Sequence, residues 1–146
     1  MAHAAPTSGS MARGGRTPDI FSARTHTRAR IAISVVTGLI YGDWVAANRR
    51  AGGPITGWNL LTGFVSAVVF AVALWAVMTF APRLRRELHA AVWAAFAGIA
   101  FGFLYSSAGE AVLRSIGMAL TVAFVTLILM FYRFYTREDA AGHRIR

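Results

Sequence analysis

Four stretches of the chain carry apolar side chains in long runs, not at alternate positions. The longest, Gly57 to Phe80, spans 24 residues without a formal charge. At about 1.5 Å per helical residue it reaches ~36 Å, enough to cross a ~30 Å hydrocarbon layer with some tilt. His89–Ser107 and Ser115–Tyr132 likewise lack acidic or basic interior residues other than the histidine at the edge. Strand-like alternation is missing, and a helix satisfies its own backbone groups in lipid, so all three predict transmembrane helices. The first stretch, Ile31 to Asn48, is shorter and holds Asp43. An aspartate at mid-span costs about 2.5–3.5 kcal/mol, while Ile33, Val36 and Leu39 each return only a few tenths, so this helix is marginal by itself.

The arginines decide whether that first stretch crosses. With four spans, Arg13, Arg16, Arg24, Arg28, Arg30, Arg83, Arg85, Arg86, Arg133, Arg137, Arg144 and Arg146 share one side, against Arg49, Arg50 and Arg114 on the other, a split of 12 to 3. With three spans the split is 8 to 7, which is no bias. Basic residues collect on the cytoplasmic side, so the pattern favours four spans with both termini cytoplasmic. A competing reading takes the basic leader, the first apolar stretch and the small residues Val45 and Ala47 as a signal peptide cleaved before Asn48. The leader of 30 residues and the Asp43–Trp44 pair near the cleavage point count against it.

A repeat lies beneath the apolar pattern. Ser34, Gly38, Gly42 and Ala46 are spaced four apart, and Ala94, Gly98, Gly102 and Ser106 repeat them at an offset of 60. The strings TGLIYG and AGIAFG carry the glycine pairs, and Gly63 and Phe70 match Gly117 and Phe124 at an offset of 54. Residues four apart form one ridge of a helix, and small ones let backbones approach closely where lipid offers little hydrophobic drive. The expectation is that the first and third helices pack groove to groove, crossing near −40°. The competing reading is that Ala- and Gly-rich composition produces such strips by chance. The predicted fold is therefore all-α: a polytopic four-helix transmembrane bundle, helices about 31–48, 57–80, 89–107 and 113–135, built from two parallel-repeat hairpins. A disordered basic cytoplasmic tail over 1–30 precedes it, and a short cytoplasmic tail over 137–146 follows.

Composition sharpens this picture. Of 146 residues, 56% are hydrophobic and 14% charged, outside the range of soluble domains. Cysteine is absent, which removes disulfides, thiolate nucleophiles and Cys-based metal sites. The net charge of +9 comes wholly from arginine. The basic tails suit anionic lipid headgroups, and with Phe21 as the one Phe, Tyr or Trp between its arginines the N-terminal tail does not read as a nucleic-acid binder. Trp44, Trp58 and Tyr105 mark one membrane interface, and Phe131, Tyr132, Phe134 and Tyr135 the other.

Asp43 is the one acid inside a predicted span, and an intramembrane acid points to proton relay, cation binding or a structural polar cluster. Arg114 is its expected charge partner, with Glu110 one turn earlier and Asn59 at the same level. His3, His26, His89 and His143 are scattered, so no metal or haem ligand pair and no cofactor is expected. Ser106 and Ser107 have no histidine on their side to activate them, so an enzyme is not expected. Small multidrug exporters share four short helices with one acid in the first; here the acid lies nearer a helix end and their motif is absent, so no family is assigned. The expected role is a non-enzymatic accessory, scaffold or interaction subunit of a bacterial plasma membrane, with a homodimer or larger membrane complex as its setting. A dimeric proton-coupled transporter using Asp43 and a pore-forming, holin-like protein are the alternatives.

Overall fold

The computed structural model describes residues 22–136, so the expectations for residues 1–21 and 137–146 lie outside the described residues. Helix α1 spans Ala23–Arg50 and starts where the Ser22 hydroxyl accepts the Thr25 amide at 3.3 Å. Residues 23–30, expected to be part of a disordered tail, are its first two turns. Extending an existing helix adds one hydrogen bond per residue fixed without a new nucleation cost, and Ala and Arg are good helix formers. The helix stops at Ala51, which takes the left-handed conformation (φ 46°) and returns its amide to the Asn48 carbonyl. After a short turn, Thr56 caps α2, Gly57–Phe80, by accepting the Asn59 amide at 3.3 Å. Pro82 then sits in a single 3-10 turn, Ala81–Arg83, where its missing amide costs nothing. Helices α3, Arg86–Ser107, and α4, Val112–Tyr135, complete the described chain.

All four helices are long and apolar enough to cross a membrane. The distribution of side chains is inverted relative to a water-soluble fold. Among apolar residues the buried set is mostly small, with Val45, Ala67, Ala90 and Ala94 inside. Large residues point outward, such as Leu113 at 83% exposure and Ile99 at 73%. An apolar exterior this extensive suits a lipid solvent.

The helices form two antiparallel hairpins, α1–α2 and α3–α4, and the small-residue strips are their seams. A methyl group on Gly38 would lie 2.7 Å from the Ala67 carbonyl and 2.8 Å from the Ala71 methyl. On Gly98 it would lie 2.8 Å from the Ala119 carbonyl and 2.7 Å from the Ala123 methyl. Gly42 presses on Gly63 and Ala67, and Gly102 on Ala119. Each strip thus faces the helix next to it in sequence, which corrects the expected groove-to-groove packing of α1 on α3. The reason is geometric: a short turn holds α2 antiparallel beside α1, so the nearest backbone fills the groove. The partner register is also corrected. Ala67 and Ala71 correspond to Ala119 and Ala123, an offset of 52, while Gly117 faces open space.

The two hairpins meet less closely. Helix α3 touches both α1 and α2, whereas α4 has α3 as its single helical neighbour among the described elements. The expected four-helix bundle is therefore an open one, without a shared central core.

Candidate functional site

Polar side chains are concentrated where the hairpins meet. Tyr41, directly before Gly42 and three residues after Gly38, stacks on Phe70 of α2 at 4.3 Å between ring centroids. Its hydroxyl donates to the Ala100 carbonyl of α3 at 2.7 Å. Two turns further along the same face, the Asn48 amide donates to the Leu104 carbonyl at 3.1 Å and reaches the Ser107 hydroxyl at 3.5 Å. Those carbonyls already serve α3, and each oxygen has a second lone pair to offer. Phe70 in turn contacts Phe96 of α3 at 5.2 Å. Between the hairpins lies a laterally open, apolar groove of about 430 Å³, lined by Tyr41, Ser66, Phe70, Phe96 and Phe103 among others. It offers hydroxyls but no base, acid or metal ligand, so its chemistry is that of binding.

The polar cluster expected around Asp43 is not assembled. Asp43 is exposed on the outer side of α1, and no ion pair or hydrogen bond of its carboxylate occurs among the described residues. Arg114, its expected partner, instead pairs with Glu110 at 3.1 Å, one helical turn away across the start of α4. Glu and Arg four apart are natural neighbours on a helix, whereas Asp43 would need α1 and α4 to touch. Asn59 lines another pocket of about 340 Å³ with Asn48, Arg49, Trp58, Ser106 and Ser107, whose lining includes none of those three.

The strip residues are placed as follows. Ser34 is buried, its hydroxyl 4.0 Å from the Met78 sulfur. Gly38, Gly42 and Ala46 lie against α2, and Gly98 and Gly102 against α4. Ala94 is buried, but Ser106 is exposed and bonds back to the Phe103 carbonyl at 2.9 Å.

The opposite end of the second hairpin holds contacts that sequence reasoning missed. His89 is buried and stacks on Phe134 with centroids 3.9 Å apart. The Arg86 guanidinium lies 4.3 Å from the centre of the Tyr135 ring, and Arg83 lies 5.5 Å from that of Phe80. The basic loop and the aromatic belt were each visible in the sequence, but their pairing depends on the α3–α4 register. Tyr41 and Asn48 did carry a signal, since residues seven apart share one helix face. Among the described residues no three His, Cys, Asp or Glu stand close enough to hold a metal ion. No protein-family model, curated protein or solved structure matches the chain, so its role is argued from this geometry alone.

Proposed function

We propose that the chain is a multi-pass membrane protein of the bacterial plasma membrane, with both termini cytoplasmic and a non-enzymatic accessory or scaffold role. The observation that carries this reading is the open packing: α4 leans on α3 alone, and the hairpins share a groove instead of a core. A chain that closed around a substrate would use its polar groups to line a path. Here Tyr41 and Asn48 are spent on joining the hairpins, and Glu110 and Arg114 on each other. The matching seams, offset by 60 in α1 and α3 and by 52 in α2 and α4, support an origin by duplication of one hairpin. Two spans per copy keep both copies in one orientation.

Two experiments test the reading. Because the chain has no cysteine, single cysteines at Arg85 and Arg144 report topology directly. Both should react with an impermeant reagent from the cytoplasmic face, and labelling from opposite faces overturns the layout. In liposomes, a pH gradient should drive no solute or proton flux through the protein. Flux that vanishes in Asp43→Asn would replace the scaffold role with transport.

A further inference from the structure

We propose that the Arg86 end of the α3–α4 hairpin is a binding site for one anionic phospholipid. The inference rests on the membrane reading above and adds a ligand class to it.

Arg86 opens α3 with its side chain only 20% exposed and its guanidinium laid on the Tyr135 ring. Among the described residues its Nε is buried and has no hydrogen-bond partner. The carboxylate beside it, Glu87, stays 3.9 Å from that nitrogen and is itself 63% exposed, so it is well hydrated and neutralises little. A largely desolvated guanidinium without a strong counter-charge among the described residues favours a phosphate, whose oxygens match its fork of donors. Arg83 and Arg85 are exposed within three residues of it. The α3 N-terminus adds to the field, since Arg85 at the cap position supplies no side-chain hydrogen bond to the first-turn amides.

The second half of the site is apolar. A groove of about 570 Å³ runs along α4, lined by Leu127, Ile128, Phe131, Tyr132 and Tyr135, with Glu87 of α3 as its one charged lining residue. Leu127 to Tyr135 is eight helical steps, ~12 Å of helix, the orientation and apolar lining an acyl chain requires. Tyr135 belongs to both halves: one of its faces carries the guanidinium, and its ring also lines the groove. Charge and hydrocarbon thus meet at one residue, as they do in a phospholipid below its phosphate. A zwitterionic headgroup brings its own ammonium into a cluster of three arginines, so the site discriminates by net charge.

The test is competitive retention of lipid by the full chain, purified in a neutral detergent and offered equal phosphatidylglycerol and phosphatidylcholine, read by native mass spectrometry. One phosphatidylglycerol should be retained over phosphatidylcholine by about fivefold or more, the scale of one arginine near an anionic headgroup. Arg86→Gln should abolish the preference, while Arg114→Gln at the other end preserves it. Leu127→Trp, which fills the groove, should weaken phosphatidylglycerol binding. Inorganic phosphate should not displace the lipid; displacement would reduce the site to an ion site and overturn the proposal. A preference that survives Arg86→Gln would assign it to the N-terminal arginines and also overturn the proposal. If the preference is absent while both cysteine reporters still label from the cytoplasmic face, the lipid site fails and the membrane reading stands.

Discussion

The seam glycines are the residues on which the hairpins depend most. At Gly42 even one methyl group would run into the Gly63 carbonyl and the Ala67 methyl. Gly117 lies on the open side of α4 with nothing within 4 Å. Gly42→Ala should therefore cost about 1–3 kcal/mol by overpacking, read as a lower unfolding midpoint in detergent. Gly117→Ala should leave the midpoint unchanged or raise it slightly, since alanine is the better helix former. The four-residue spacing made these glycines visible in the sequence. What they face was not, because a groove of small residues describes only one side of an interface. Ala67, Ala71, Ala119 and Ala123 carry no distinguishing mark in an alanine-rich chain. Asp43 was visible for the same kind of reason, as a charge among apolar residues, while the four-residue spacing of Glu110 and Arg114 was the local signal for the pair that forms instead.

At the scale of the helices, apolar runs predicted the centres of all four elements, and side-chain caps set the starts of α1 and α2. The first two turns of α1 read as polar and unstructured because Arg24, Thr25, His26, Thr27 and Arg28 offer no apolar face. They are helical as an extension of the apolar segment beyond, held at the start by Ser22. Replacing Ser22 with Ala should fray that turn, costing it about 1 kcal/mol. Hydrogen exchange at the Thr25 and His26 amides should accelerate while the amides from Ile31 onward stay protected. Uniform exchange along α1 in both proteins would mean that the cap contributes nothing. The α3 start behaves differently: without a side-chain cap, its first turn is held by aromatic contacts to α4.

For the molecule as a whole, the division of contacts predicts two levels of cooperativity. Each hairpin has a continuous backbone seam, while the junction between them depends on Tyr41, Asn48 and a few rings. Tyr41→Phe combined with Asn48→Leu removes the hydrogen bonds that Tyr41 and Asn48 make across the junction, to Ala100, Leu104 and Ser107. Interhelical hydrogen bonds in membrane proteins are each worth about 0.6 kcal/mol on average and at most ~1.7. The pair of changes should widen the distance between fluorophores placed on α2 and α4 without lowering helix content. A loss of helix instead would mean that the junction holds the hairpins together internally.

The loop of Arg83, Leu84 and Arg85 links two units that are each internally zipped, and α4 asks nothing of α1 or α2. Severing the chain there should consequently be survivable. Residues 1–84 and 85–146, synthesised as separate polypeptides, should each insert, be spared by membrane proteases and co-purify through α3. Each fragment would carry its own pair of crossings, so biogenesis requires no waiting of the first half for the second.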